Sequence, residues 1–261
     1  MPYLERNGAR VYFETTGDGP PLLLIAGIAS DVASWTPVVP LLEEKFRLIL
    51  FDNRGCGRTE HEGPINPGDW VGDAAAVLDK AGAAQANVLG HSLGGMIALR
   101  LAEAAPERIG EMAICAAAAN PEPKTHALLE EMVQLYESGM DAEAWFRLLF
   151  QWLFAPPFFA DSEAVEEAGR AAAAYEFCQS PADFRRQFEA AAKFERLDGS
   201  AMAKPFSHLM GEHDLMVTVQ MSRDAFADFR NVREIIIPGA GHSVHWDQPE
   251  AFADAVTRVF L

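Results

Sequence analysis

The sequence has few cysteines, few basic residues and no long apolar run, and each shortage excludes a class of protein. Its 261 residues include three widely spaced cysteines, an odd number that favours reduced thiols over a disulfide framework. The 38 aspartates and glutamates outnumber 21 lysines and arginines, and the formal net charge of −17 disfavours nucleic acid and anionic membrane surfaces as partners. No apolar stretch approaches the roughly 18 residues that span a bilayer, and residues 1–6 do not resemble a signal segment. We therefore expect a soluble, unprocessed, cytoplasmic protein with neither nucleic-acid nor membrane partners.

Short apolar runs alternate along the chain with longer segments of helical periodicity. The runs that we interpret as strands are residues 11–16, 22–26, 47–52, 86–90 and 109–115. The intervening segments long enough for crossover helices are residues 35–45, 69–81 and 93–105. Such an alternation predicts a parallel sheet built from βαβ units.

The pattern changes after residue 119. Residues 120–200 show no convincing strand, only helix-like stretches that prolines divide into about four pieces. The alternation then returns, with expected strands at 205–210 and 232–237 and expected helices at 219–229 and 249–260. We therefore expect a core formed by residues 1–119 and 201–261, interrupted by a helical cap at residues 120–200.

The most specific motif is G-H-S-L-G at residues 90–94, which lies between an apolar run and a helical segment. A strand that turns sharply into a helix brings neighbouring backbones close together, and glycine avoids the collision that a Cβ would cause. This arrangement predicts that Ser92 is an exposed nucleophile at the end of a strand. The alternative is a glycine-rich turn in which Ser92 only caps the helix.

A serine nucleophile needs a base, and the base needs an orienting acid. His242 follows an expected strand and is preceded by Gly-Ala-Gly, so we choose it as the base over His245, which we expect to open the last helix. Asp214 follows the preceding strand and is our choice of acid, with Glu212 as the alternate and a helix cap as the structural alternative for Asp214. The chain order Ser, Asp, His is the order of the α/β-hydrolase triad.

The tetrahedral intermediate of acyl transfer also needs backbone donors for its oxyanion. One donor is expected from the residue after the nucleophile, Leu93, and the other from the loop after an early strand. We assign the second donor to the N–H group of Ile28, because Gly27 lets the backbone approach closely.

Together these motifs resemble the α/β-hydrolase fold, and the resemblance covers nearly the whole chain. The matching segments are residues 26–28 with Trp35, 52–59, 90–95, 211–214 and 239–242 followed by 248–250. The resemblance implies an α/β fold with a mostly parallel eight-stranded sheet flanked by helices, and a cap inserted after strand 6. One departure is Ala26, which replaces the histidine that commonly precedes the oxyanion glycine and leaves the anchoring of that loop open.

Within the family, the elbow residues narrow the chemistry. A serine at position 92 argues against haloalkane dehalogenases and epoxide hydrolases, whose elbows carry aspartate. His91 and Ser243 differ from the asparagine and tryptophan typical of carbon–carbon bond hydrolases. Residues 27–35 and 94–96 are similar to 3-oxoadipate enol-lactonases. The resemblance therefore implies a serine esterase or lactonase, with a carbon–carbon bond hydrolase, a perhydrolase and a slow-turnover ligand receptor as alternatives.

The expected cap is rich in aromatic residues, most of which should pack its own core. A few should line the substrate pocket, and our candidates for its lining are Gly27, His91, Trp145, Phe146, Trp152 and Phe154. Arg147, Arg185 and Arg186 could instead meet a substrate carboxylate. We expect a small-molecule ester or lactone substrate and a monomer or homodimer. No metal or cofactor is implied, because no Cys or His cluster has ligand spacing and the glycines of 54–57 lack the spacing of a phosphate loop.

Overall fold

The computed structural model describes residues 3–202 and 204–261, and within these ranges nine strands form one sheet. The strands are β1 (Tyr3–Arg6), β2 (Ala9–Thr16), β3 (Pro21–Ile25), β4 (Arg47–Phe51), β5 (Glu60–His61), β6 (Ala86–His91), β7 (Ile109–Cys115), β8 (Phe206–Gly211) and β9 (Val232–Ile237). Eight of them follow the order β1-β2-β4-β3-β6-β7-β8-β9, and the two-residue β5 pairs with β2. Every pairing in the spatial run β4-β3-β6-β7-β8-β9 is parallel. The predicted mostly parallel sheet is therefore confirmed.

The same described ranges contain ten α-helices, eight before the last strand and two after it. They are α1 (Val39–Leu42), α2 (Pro67–Lys80), α3 (Leu93–Ala104), α4 (Pro123–Glu137), α5 (Ala142–Leu153), α6 (Ser162–Ala173), α7 (Pro181–Ala191), α8 (Val219–Ala225), α9 (Val244–Asp247) and α10 (Pro249–Phe260). None of these helices has the length and apolar composition needed to cross a membrane.

Alternate residues of β3 pack against opposite faces of the sheet. Leu23 and Ile25 join a core that includes residues of α2 and α3, whereas Leu22 and Leu24 join a core that includes residues of α1 and α10. This period of two is the geometry of a strand that is buried on both faces. Helices therefore cover both sides of the sheet, and the loops that follow the parallel strands meet at one edge.

The expected single helix at residues 35–45 is wrong. The chain forms a 3₁₀ turn at Val32–Trp35 and then the four-residue α1. Pro37 and Pro40 lie within this segment, and proline has no N–H group to donate and collides with the preceding helical turn. The helix expected at 219–229 is likewise shorter, since α8 ends at Ala225.

Helices α4 to α7 lie between β7 and β8, which are the sixth and seventh of the eight long strands in chain order. Helix α6 contacts α5, and residues of α4, α5 and α7 share a hydrophobic core with Ala118, Met216 and Val217. At its centre the rings of Tyr136 and Trp145 stack with centroids 4.2 Å apart, and Phe184 packs edge-on against Trp145. These three rings thus stabilise the packing of α4, α5 and α7 on one another.

Candidate active site

The turn from β6 into α3 holds Ser92 in a strained backbone conformation. Its φ of 52° and ψ of −117° lie in a region that residues other than glycine rarely adopt. A Cβ at Gly90 would collide with the carbonyl of Gly94, and a Cβ at Gly94 would collide with the carbonyl of Ile25. The two glycines are therefore required by the close approach of three backbone segments, and they place Ser92 at the end of β6.

Ser92, His242 and Asp214 lie in one line of hydrogen bonds. His242 Nε2 is 3.1 Å from Ser92 Oγ, and His242 Nδ1 is 2.8 Å from Asp214 Oδ2. A carboxylate oxygen only accepts, so Nδ1 carries the proton and Nε2 is free to accept from the serine hydroxyl. Because His242 and Asp214 are 1% and 4% exposed, the imidazole and the carboxylate interact with little screening by water.

The orientation of Asp214 is set by its other carboxylate oxygen. Oδ1 accepts backbone N–H groups from Met216 and Val217, both at 2.8 Å. The N-cap of α8 is Thr218, so Asp214 does not cap that helix. Glu212 is exposed and accepts from the Gly239 backbone at 2.9 Å, away from the imidazole. Of the two acids considered from the sequence, the structure brings only Asp214 to His242.

Two further histidines pack near His242. His91 Nε2 donates to the backbone carbonyl of His242 at 2.9 Å, and the two rings are 5.0 Å apart. Burial lowers the pKa of His91 well below its usual value, and burial lowers the pKa of His245 to about 3. Both rings are therefore neutral at pH 7 and do not repel a positive charge on His242. The ring of His245 packs against that of Trp35, with centroids 4.7 Å apart, instead of reaching Ser92.

The loop after β3 is anchored by amide side chains. Asn53 Nδ2 donates to the carbonyl of Ala26 at 2.9 Å, and the N–H group of Ala29 donates to Gln187 Oε1 at 3.0 Å. These two bonds hold the backbone on either side of Ile28. The anchoring of this loop, left open because Ala26 stands in place of a histidine, is thus supplied by Asn53 and by Gln187 of α7.

Gln187 is a residue that the sequence reasoning missed. It is fully buried, and besides Ala29 it binds Gln179 through Oε1 at 2.9 Å and the carbonyl of Arg54 through Nε2 at 2.9 Å. The sequence does indicate that Gln187 is buried, because it lies three residues after Phe184 and next to Phe188 on the buried face of α7. A polar residue on a buried helix face needs partners, and here two of the three, Ala29 and Arg54, belong to the core.

A cavity of about 440 Å³ opens above Ser92 and His242. Of the predicted lining residues, those that face it are Gly27, His91, Trp145, Phe146 and Phe154. Trp152 does not line it, which corrects that prediction. Its ring lies 5.7 Å from Lys124 Nζ. At about 100° per residue, position 152 lies roughly 100° around α5 from Leu153 and roughly 120° from Phe146, at the edge of the lining face beside Trp145.

The arginines that the sequence offered as carboxylate binders do not face the cavity. Arg185 pairs with Glu137, Arg186 pairs with Asp183, and Arg147 lies 3.8 Å from Glu143. Within residues 3–202 and 204–261, no group of three His, Cys, Asp or Glu side chains is arranged to hold a metal ion.

A second, smaller cavity of about 70 Å³ also reaches Ser92. Ile28 and Leu93, the two candidate oxyanion donors, both line it. In the part of the chain that the structure describes, neither of their N–H groups donates to another protein group. Two backbone N–H groups without a backbone acceptor among the described residues therefore belong to residues that share this cavity with Ser92.

Comparison with known proteins agrees with this architecture. A family model described as alpha/beta hydrolase fold matches residues 20–249. A protein of Azorhizobium caulinodans named as a carbamate hydrolase, RutD, is 36% identical over 169 residues, which are 64% of this chain and 63% of that protein.

Solved structures give the same result over nearly the full length. The crystal structure of a Mycobacterium tuberculosis protein named as a non-heme bromoperoxidase, BpoC, is 27% identical, with a TM-score of 0.84 over 96% of this chain and 95% of that one. The enol-lactonase of Burkholderia xenovorans shares the fold at 22% identity, with a TM-score of 0.86 over 99% of both chains. The chain therefore belongs to the α/β-hydrolase fold family.

Proposed function

We propose that this protein is a serine hydrolase that cleaves a carboxylic ester or lactone through an acyl-enzyme. The observation that carries the proposal is the aligned pair of hydrogen bonds, 3.1 Å from His242 Nε2 to Ser92 Oγ and 2.8 Å from His242 Nδ1 to Asp214 Oδ2, at the base of a large apolar cavity. A nucleophile, a base and an orienting acid within hydrogen-bond reach are the requirements for nucleophilic acyl transfer.

In the first half of the proposed reaction, Ser92 Oγ forms a bond to the substrate carbonyl carbon while His242 Nε2 takes the hydroxyl proton. The carbonyl oxygen gains negative charge, and the N–H groups of Ile28 and Leu93 stabilise it. Asp214 keeps the proton of His242 on Nδ1 and stabilises the imidazolium that forms. The carbon–oxygen bond to the alcohol then breaks, and the proton on Nε2 moves to the alcohol oxygen.

In the second half, a water molecule takes the place of the alcohol. His242 Nε2 accepts a proton from this water as its oxygen attacks the acyl carbon, and the proton then returns to Ser92 Oγ as the acid leaves. The neutral state of His91 and His245 supports this cycle, because the imidazolium of His242 forms without a neighbouring positive ring.

The test is hydrolysis of p-nitrophenyl esters and simple lactones by the wild-type protein and by Ser92→Ala. We expect the substitution to lower kcat by at least about 10³-fold, because the nucleophile and its base act as a unit. Ser138→Ala is a matched control, since this exposed serine lies at the end of α4. Retention of most of the activity in Ser92→Ala would contradict the proposal.

A second candidate activity uses the same site with a different acyl acceptor. The similarity to BpoC, 28% identity over 257 residues, favours a test of hydrogen peroxide in place of water. Attack of peroxide on the acyl-enzyme would release a peracid and regenerate Ser92. Peracid formation that rises with peroxide concentration and is lost in Ser92→Ala would support this activity, and hydrolysis unaffected by peroxide would contradict it.

A further inference from the structure

The two cavities meet at Ser92 but offer different groups to a bound ester. Ile28, Ser92 and Leu129 line both of them. His242 lines only the large cavity, whereas Leu93 and Met96 line only the small one. The site is therefore divided into two compartments of unequal volume, with the nucleophile at the boundary.

The proposed chemistry decides which part of an ester enters each compartment. The alcohol oxygen must receive its proton from His242 Nε2, so the alcohol lies on the side of the site that His242 lines. The carbonyl oxygen must point toward the N–H groups of Ile28 and Leu93. The acyl chain is the remaining substituent of the attacked carbon, and the direction left for it leads into the small cavity.

The volumes then limit each part of the substrate. About 10–15 Å³ of such space is enough for one water-sized group, so the small cavity holds an acyl chain of roughly five to seven heavy atoms at most. The large cavity has several times that volume, and its wall is mainly apolar, with the aromatic residues Trp145, Phe146, Phe150, Phe154 and Phe158 among its lining.

Three of the polar residues around the small cavity already have partners. Asn120 Oδ1 accepts the N–H group of Leu197 at 2.8 Å, and Thr125 Oγ1 donates to the carbonyl of Met216 at 2.6 Å. Glu122 accepts from the Thr125 backbone at 2.9 Å, and its negative charge would repel an acyl chain that ends in a carboxylate. His126 also borders this cavity, and its ring packs against Phe188 with centroids 4.8 Å apart. Most of the remaining wall, which includes Met96 and Val217, is apolar.

We propose that the enzyme is selective for esters of a short, uncharged acyl group with a bulky apolar alcohol. This assignment rests on the proposed serine hydrolase function and adds the orientation of the substrate to it. In the step that defines the orientation, a bond forms between Ser92 Oγ and the carbonyl carbon, whose acyl chain lies in the small cavity. The bond to the alkoxy oxygen breaks on the side of the large cavity, and that oxygen leaves with the proton from His242.

A pair of isomeric esters tests the orientation directly. In 2-phenylethyl acetate the aromatic group belongs to the alcohol, and in ethyl phenylacetate it belongs to the acyl chain, although the two molecules have the same atoms. We expect kcat/KM for 2-phenylethyl acetate to exceed that for ethyl phenylacetate by at least about tenfold, because a group too large for its pocket loses transition-state contacts. Equal rates, or a preference for ethyl phenylacetate, would overturn the assignment.

A variant that enlarges the small cavity tests the role of its wall. With p-nitrophenyl esters the leaving group stays constant, and we expect kcat/KM to fall by about tenfold or more between butyrate and octanoate. Met96→Ala shortens a half-buried side chain of that wall and should move the decrease toward longer acyl chains. Met140→Ala is the matched control, since Met140 is also half-buried but lines neither cavity.

The outcomes separate this assignment from the proposed function. Turnover that depends on Ser92 but rises steadily up to the octanoate would overturn the assignment alone. An acyl-length profile that Met96→Ala leaves unchanged would also overturn it. Absence of Ser92-dependent turnover on every ester would overturn the proposed function and this assignment together.

Discussion

The hydrogen bonds of Gln187 connect the helices of residues 123–191 to the loop that carries Ile28, and their removal should be measurable. In Gln187→Leu, the N–H group of Ala29 loses its acceptor, whereas the carbonyl of Arg54 keeps a bond from Trp70 Nε1 at 3.2 Å. Gln179 Nε2 similarly keeps the carbonyl of Gly55. One donor is therefore left without a partner, and two shared bonds are lost.

The expected cost follows from these three contacts. A buried donor without a partner costs about 1–3 kcal/mol, and each lost bond to a group that keeps another partner costs about 0.5–1.5 kcal/mol. Burial of the apolar leucine side chain offsets part of the cost of the lost hydrogen bonds. We therefore expect the free energy of unfolding of Gln187→Leu to fall by about 2–4 kcal/mol. Urea unfolding at pH 7 measures this difference, and the slope of the transition should not change.

Catalysis should respond as well, because Ala29 follows the proposed oxyanion donor Ile28. We expect kcat to fall by about tenfold to a hundredfold with little change in KM, since the oxyanion contact is made in the transition state. Gln220→Leu is the matched control, because Gln220 is exposed and binds only Asp224 among the described residues. If Gln187→Leu lowers the free energy of unfolding by less than about 1 kcal/mol and leaves kcat unchanged, Gln187 does not hold the loop that carries Ile28.

Substitutions at other positions give three independent tests. Burial lowers the pKa of His208 from 6.5 to about 4, so the unfolded chain takes up a proton first as the pH falls and stability is lost from about pH 6.5 downward. In urea unfolding from pH 6 to 4.5, His208→Asn should therefore lose stability less steeply than wild type, by up to about 1.4 kcal/mol per pH unit, and equal slopes would contradict this. Asp214→Asn should lower kcat in ester hydrolysis by about 10³–10⁴-fold, whereas Glu212→Gln should leave it nearly unchanged. A larger effect from Glu212→Gln would assign the orienting acid to Glu212. Phe154→Ala should raise KM for 2-phenylethyl acetate by roughly tenfold, and Trp152→Ala should not, because only Phe154 lines the large cavity. Similar KM values in both variants would argue against the large cavity as the alcohol site.

The parts of the fold that were predictable from sequence are those with strong local signals. β3 and β6 are continuous apolar runs because they are buried on both faces, and the glycines at 90 and 94 mark the turn between β6 and α3. Ser92, Asp214 and His242 could be named because each follows a strand whose carboxyl end meets the same edge of the sheet. The structure brings these three side chains together, and their roles in catalysis stay a prediction.

The parts that were missed depend on contacts between distant segments. β1 is a four-residue strand that exists through its pairing with β2, and its own residues carry a weak strand pattern. Gln187 and Ala29 are 158 positions apart, so no local pattern indicates their hydrogen bond. The aromatic character of Trp152 predicts a place in the pocket lining. The direction of its side chain depends, however, on how α5 packs, and the ring lies near Lys124. Composition indicates which residues are available for a pocket, and packing decides which of them face it.

Trapping the intermediate shows directly whether Ser92 forms a covalent acyl-enzyme. Wild-type protein and Ser92→Ala are treated with a fluorophosphonate or rapidly quenched with p-nitrophenyl acetate, and intact mass and peptide mapping locate any adduct. We expect a single adduct on Ser92 in the wild type and none in Ser92→Ala. Rapid ester turnover without an adduct, or an equal adduct in both proteins, would contradict acyl-enzyme formation at Ser92.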